Sequence, residues 1–279
     1  MSEAKENLKS KIKKEENSKE SKPKSHEKIL VDQLCEGLET YKEKSAKVFL
    51  SAITAGLEIG FSFLLLGILY TILKDRVSHD ILFYLLAFVY PIGFIMVVLG
   101  RSILFTEQTS LLALPVLHGK RSIGDLFKLW SIVIAGNLIG GYLFAFLGGN
   151  IALSLEIISK ESIGSIAQHV TKVDIFTLLG SAILAGWLMA VLSWLLSSSK
   201  ETISRIVIVY IITFTVGFAG FHHSIVGNIE VFAGLMFTSK ISILDYLSFQ
   251  SVALIGNAIG GVFFVAFLRY RTNASGYFD

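Results

Sequence analysis

Charge is scarce over most of this chain. Only 17% of its 279 residues are Asp, Glu, Lys or Arg, against 53% hydrophobic. The first 47 residues alone hold 12 of the 25 Lys and Arg and 10 of the 22 Asp and Glu. The remainder carries its apolar residues in unbroken runs rather than at helical or strand spacing, which excludes an ordinary water-soluble domain and points to an integral membrane protein. The formal charge of +3 is too small and too balanced to suggest nucleic acid as a partner. A single cysteine, Cys35, excludes an internal disulfide framework. No early apolar core follows the amino terminus, so no secretory signal is expected.

Residues 1–25 are mostly Lys, Glu and Ser, which bury too little apolar surface to repay ordering. They predict a disordered, charged cytoplasmic tail. Over 26–47 the apolar positions Ile29, Leu30, Leu34, Leu38 and Tyr41 recur at three- and four-residue steps. That spacing predicts an amphipathic helix along the membrane surface. A transmembrane domain is expected over 48–270, with spans near 48–73, 82–118, 126–148, 174–197, 204–238 and 249–268, each reaching the roughly 20 residues that a bilayer requires. A short tail, 271–279, closes the chain. Lys and Arg are denser in the loops on the side of the amino-terminal tail, which predicts both termini in the cytoplasm.

The second and fifth spans are too long for one plain helix, and each contains an interruption. In the fifth, VGFAGFHHSIVGNIEVFAG (216–234) sets His222, His223, Ser224, Asn228 and Glu230 among apolar residues and glycines. In the second, GRSILFTEQT (100–109) does the same with Arg101, Thr106 and Glu107. Ionisable groups and irregular backbone are costly at membrane depth unless they face a protein interior or a cavity. Two half-helices are therefore expected in each span. Paired breaks in corresponding segments point to a transporter's substrate site.

The halves also repeat. Gly136-Asn137-Leu-Ile-Gly140-Gly141 recurs as Gly256-Asn257-Ala-Ile-Gly260-Gly261, with Ser131 and Ser251 at the same offset before each asparagine. Three spans per half, an odd number, invert the second half. The expected fold is an all-α membrane protein, a 3+3 inverted repeat with broken second and fifth helices, as in the aquaporin-like architecture. The small residues of the repeated motif are read as helix packing.

At this point the motifs resemble those of the formate/nitrite transporter family, over residues 30–270. Phe221-His222-His223-Ser224-Ile225 looks like the family's histidine-serine-isoleucine motif at a broken helix. Leu104-Phe105-Thr106 looks like its Leu-Phe-Thr loop, and Ala185-Gly186-Trp187-Leu188 is similar to its Cys-Asn-Trp-Leu signature. The resemblance implies that His223 is the central pore histidine, that Thr106 stands opposite it and that Phe105 and Leu104 form a hydrophobic constriction. It also implies a homopentamer in which each protomer conducts on its own. Gly186 before the tryptophan, Ile103 before Leu-Phe-Thr, His222 before the central histidine and the one-place shift of Asn228 mark a divergent branch of that family.

A monovalent anion cannot cross a narrow apolar constriction without a proton or a counter-charge. His223 can supply either, because histidine titrates near neutral pH and its ring can donate to a bound oxygen; the plain alternative is a buried neutral histidine that only links two helices. His222, about 100° round a helix from His223, is assigned either to the vestibule or to a position behind the pore-lining residues. Glu58, Arg101, Glu107 and Glu230 form a possible charge network in which Arg101 is expected to pair with one of the three acids. The expected function is transport of a small monovalent anion, of formate or nitrite type, in the inner (plasma) membrane. Neither a cofactor nor covalent chemistry is expected, and the partners are the anion, membrane lipid and further copies of the chain. Two other classes compete with this reading. An aquaporin-like pore for a neutral solute is disfavoured because neither break contains Asn-Pro-Ala. A membrane scaffold or intramembrane enzyme with a metal site is disfavoured because His222, His223 and Glu230 lack metal-site spacing.

Overall fold

The computed structural model describes residues 24–273, with side chains through Leu268. The expected tail at 1–25 therefore lies almost wholly outside the described residues, as does most of the tail at 271–279. Every described element is an α-helix. In chain order they are α1 (His26–Lys42), α2 (Ser45–Leu73), α3 (His79–Leu86), α4 (Ile92–Gly100), α5 (Phe105–Leu117) and α6 (Ile123–Ser154). Then come α7 (Lys160–Thr171), α8 (Ile175–Ser198), α9 (Thr202–Phe218), α10 (Ser224–Phe237) and α11 (Ile243–Asn273).

Four helices, α2, α6, α8 and α11, are each long and apolar enough to cross a membrane. The pair α4 and α5, bent by 45° at their break, makes a fifth candidate span. Two shorter apolar helices, α9 and α10, flank the other break. The expected second span at 82–118 is interrupted twice rather than once. Pro91 has no N–H to continue a helix from α3, so the chain turns there and α4 starts afresh. Ser62 of α2 holds this turn, donating to the Tyr90 carbonyl and accepting from the Gly93 N–H.

Glycines set the closest approaches. A Cβ on Gly140 would run into the Ile53 carbonyl of α2, and one on Gly260 would run into the Ile183 carbonyl of α8. The motif Gly-Asn-x-Ile-Gly-Gly therefore does seat α6 on α2 and α11 on α8, with backbones touching as small residues permit. α1 is held to the bundle rather than only lying beside it. Gly37 meets the Leu111 carbonyl of α5, the Tyr41 hydroxyl donates to the Leu112 carbonyl, and Gln33 donates to Ser193 of α8. α7, between the expected spans 126–148 and 174–197, packs Ile163, Ile166 and Ala167 inward beneath a Ser159 cap.

Candidate functional site

Both breaks are built to one pattern, and the pattern explains why they are irregular yet fixed. α4 ends with Arg101 in the left-handed conformation, φ 56°, and α9 is followed by Gly220 at φ 66°. In each case the next N–H reaches five residues back: Ser102 to the Val97 carbonyl at 3.0 Å, and Phe221 to Val216 at 2.9 Å. These are matching helix stops of the Schellman kind. Ser51 Oγ then accepts from the Ile103 N–H at 3.2 Å, and Ser181 Oγ accepts from the His222 N–H at 3.1 Å.

An asparagine closes each break. Asn137 accepts from the Phe105 N–H at 2.8 Å and donates to the carbonyls of Ile103 and Ala52, at 2.9 and 2.8 Å. Asn257 accepts from the Ser224 N–H at 2.8 Å and donates to the carbonyls of His222 and Ala182, at 3.0 and 2.7 Å. Reading these asparagines as packing residues was too narrow. Each satisfies two backbone groups that the break strands away from water, an expensive vacancy at this depth, and ties them to a carbonyl of α2 or α8. Sequence reasoning also missed Ser51 and Ser181. The signal was present, because Ser51-Ala52-Ile53-x-Ala55-Gly56 recurs as Ser181-Ala182-Ile183-x-Ala185-Gly186.

The two half-helices that start after these breaks meet at one contact. Thr106 Oγ1, in the first turn of α5, lies 2.7 Å from His223 Nε2. His223 is itself the residue that caps α10, and its Nδ1 accepts from the Ile225 and Val226 N–H groups, each at 3.3 Å. A nitrogen accepting two N–H bonds carries no proton, so the ring proton sits on Nε2. His223 is thus held neutral, with its one N–H aimed at Thr106. Leu104, at the equivalent place before α5, has no side chain able to cap.

Two cavities flank this contact. One, of about 480 Å³, has His222, His223 and Glu230 among its walls and is roofed by α3 and α7. The other, of about 460 Å³, has Arg101, Glu107 and Arg205 among its walls and is roofed by α1. Leu104 and Phe94 are both buried and line neither cavity, and the Phe94 ring meets His223 edge-on at 5.0 Å. Phe105 was expected beside the histidine but packs edge-on against Trp130 of α6, with centroids 5.7 Å apart. The aromatic on the histidine is Phe94, one helix earlier, which no motif pointed to.

Other expected site residues separate. His222 does line the first cavity, with Nδ1 2.7 Å from Ser181 Oγ. Asn228 lines neither cavity. Five residues on from His223, it lies about 140° round α10 and faces α6 and α11, where its Oδ1 accepts from the Tyr246 hydroxyl. Ser224 contributes its backbone N–H to Asn257, while its hydroxyl is buried without a partner among the described residues. The charge network does not form. Glu58 lies against Ser102 and Gly100, Glu107 and Glu230 line opposite cavities, and Arg101 pairs with no carboxylate among the described residues. Arg101 is exposed in an open cavity, so the desolvation that would have demanded a partner is absent.

Comparison with known proteins accords with this architecture. The sequence profile described as "Formate/nitrite transporter" matches residues 27–271. The "Inner membrane protein YfdC" of Escherichia coli is 30% identical over 232 residues, 82% of this chain and 73% of that protein. A "Formate-nitrite transporter" of Plasmodium ovale is 26% identical over 90% of both chains. Among solved structures, an "FNT family ion channel" superposes with a TM-score of 0.77 at 20% identity, over 88% of this chain and 98% of that one. A "Pentameric formate channel with formate bound" gives 0.71 at 20% identity, over 82% and 98%. The Plasmodium relative is a transporter and both solved structures are channels, none of them enzymes, and the chain belongs to the formate/nitrite transporter family.

Proposed function

We propose that the protein conducts a small monovalent anion of the formate or nitrite type through a pore running from the His223 cavity to the Arg101 cavity. The observation that carries this reading is the orientation of His223. Its Nδ1 is committed to capping α10, so the ring is a fixed hydrogen-bond donor on the wall of the first cavity, aimed at Thr106. An oxyanion inserted between Nε2–H and the Thr106 hydroxyl gains two donors. It also meets the start of α5, where Leu104 supplies no cap and, of the first-turn N–H groups, Asn137 takes that of Phe105; the helix end favours negative charge. Thr106 then serves as the counterpart that the anion displaces. Leu104 and Phe94 keep the passage dry, which favours the neutral acid over the anion during the crossing.

The matched hydrogen bonds at the two breaks support six spans arranged as a 3+3 inverted repeat, with α4–α5 and α9–α10 as the broken members. A pentamer with one pore per protomer, seated in the inner membrane with both termini in the cytoplasm, is part of the same reading. It is supported by the likeness to the pentameric formate channel and to the inner-membrane relative of Escherichia coli. Proteoliposome uptake of formate, nitrite, hydrosulfide and lactate, with and without a pH gradient, tests the function. Saturable uptake of at least one of these anions is expected, and it should fall in Thr106→Ala. Water or glycerol flux with no anion uptake would instead favour a pore for neutral solutes.

A further inference from the structure

The capping of α10 by His223 leaves a gap in the chemistry. If Nδ1 takes a proton, both cap bonds are lost and an N–H is forced against two backbone N–H groups. If Nε2 gives its proton away, an imidazolate is left in an apolar interior. His223 can orient an anion, but it is badly placed to lend or receive a proton. An anion that crosses the Leu104 and Phe94 barrier as a neutral acid needs a carrier for that proton on each side.

Two carboxyl groups stand where such carriers would have to be. Glu230 lies four and three residues beyond His223 by way of Gly227, so all three share one face of α10. It is 5% exposed, opens into the His223 cavity and has no hydrogen-bond or ion-pair partner among the described residues. Glu107 follows Thr106 directly and opens into the opposite cavity, likewise without such a partner among the described residues. Glu230 is a buried carboxyl with no such partner, costly as an anion and making no structural bond; Glu107 is half-buried in a cavity it shares with Arg101 and Arg205, and packing alone does not account for either.

We propose that Glu230 and Glu107 are the proton donor and acceptor for the transported anion, one on each side of the His223–Thr106 contact. Protonated Glu230 gives its proton to the entering carboxylate. One O–H bond breaks on Glu230 and one forms on the anion, leaving Glu230 ionised and the cargo a neutral acid. The acid passes His223 with its carbonyl oxygen accepting from Nε2–H, as the anion does when it rests there, and gives the proton to ionised Glu107, leaving a carboxylate in the second cavity. One proton moves with each anion, and each glutamate then re-equilibrates with its own cavity. Reversing the steps gives transport in the other direction. The charged and titratable groups that line the cavity with Glu230 are Tyr84, Tyr90, His222, His223, His79, Asp80 and His169. Those facing Glu107 are Asp32, Cys35, Glu36, Glu39, Arg101 and Arg205. The two arginines are suited to receive the carboxylate once Glu107 has taken its proton.

This inference rests on the anion-transport reading, and the test separates the two. Full-length protein in proteoliposomes loaded with a pH dye is given labelled formate, and formate uptake and internal acidification are read together. Wild type should move one proton per formate. Glu230→Gln and Glu107→Gln should each lower proton-linked uptake by about tenfold or more, as expected for loss of a positioned proton donor, while assembly is retained. Glu230→Asp should restore most of it. Wild-type rates with one proton per formate in both Gln variants would overturn the relay and leave anion transport standing. A wild type that carries no monovalent anion would overturn both. If Glu230→Gln fails to assemble, Glu107→Gln alone decides by the same two readouts.

Discussion

Arg101 and Gly220 occupy the same left-handed position in the two breaks, each four residues before the first residue of the half-helix that follows. Glycine adopts that conformation freely, whereas arginine carries a Cβ into it at a cost of roughly 1 kcal/mol. The break containing Arg101 therefore accepts strain in order to place a guanidinium in the cavity roofed by α1.

From this follows the first prediction. Arg101→Gly should raise thermal stability in detergent by an amount equivalent to about 1 kcal/mol, while slowing anion uptake. Arg101→Ala keeps the strain and loses the charge, so it should slow uptake without the gain. The relationship fails if Arg101→Gly leaves the melting temperature unchanged or lowers it, because the backbone strain would then be absent.

The asparagines give a second. Asn137 and Asn257 each hold one backbone N–H and two carbonyls, and a buried polar group left unpaired costs about 1–3 kcal/mol. Asn137→Ala and Asn257→Ala should each cut the yield of assembled oligomer severely, and by similar degrees because the two sites match. Asn→Asp at either position keeps the acceptor but loses both donors, so it should rescue little. Normal assembly of either alanine variant, judged by size-exclusion chromatography, would mean that water satisfies the break and the latch is dispensable.

Much of this site was legible as a pattern and much was not, for physical reasons. His223, Thr106 and the repeated Gly-Asn-x-Ile-Gly-Gly stand out because polar residues and glycines are conspicuous in an apolar chain. The roles of Asn137 and Asn257 were hidden, because small-residue packing and capping of a distant break leave the same local signature. Asn228 looked like a pore residue for its polarity alone, and only its position round α10 turns it away toward Tyr246. Arg101 seemed to require a partner because sequence reports depth in an apolar run but cannot show the cavity that opens beside it. Phe94 was unreadable. Nothing in sequence distinguishes the one phenylalanine that meets His223 from the other 20.

A third prediction concerns acid sensitivity at the start of α8. Asp174 caps this helix, and its carboxylate is held below the ordinary range of 3.8 by hydrogen bonds from Thr177, through both side chain and backbone, and from the Phe176 N–H. A carboxylate depressed in the folded state contributes stability that is present above its unfolded value and lost as pH falls through the folded one. Wild type should be more stable than Asp174→Ala at neutral pH. The difference should hold down to about pH 4 and shrink below it. A melting-temperature difference independent of pH would show that the cap does not depend on the charge.

The last prediction separates the two jobs of His223. Its Nδ1 caps α10 and its Nε2–H faces Thr106, so substitutions can remove one without the other. Asparagine is among the best capping residues and reaches the same two N–H groups. It presents no donor at the distance of the far ring nitrogen. His223→Asn should therefore assemble as wild type does yet lose most anion uptake at every pH, since what is missing is a donor to the anion rather than a titrating group. His223→Leu removes the cap as well, at a cost of about 1 kcal/mol, and should lower both the melting temperature and the uptake. Thr106→Ser keeps the hydroxyl opposite the ring and should retain transport, which confirms that the hydroxyl and not the methyl is required. Wild-type uptake by His223→Asn would remove the ring proton from the mechanism and leave His223 as a cap alone.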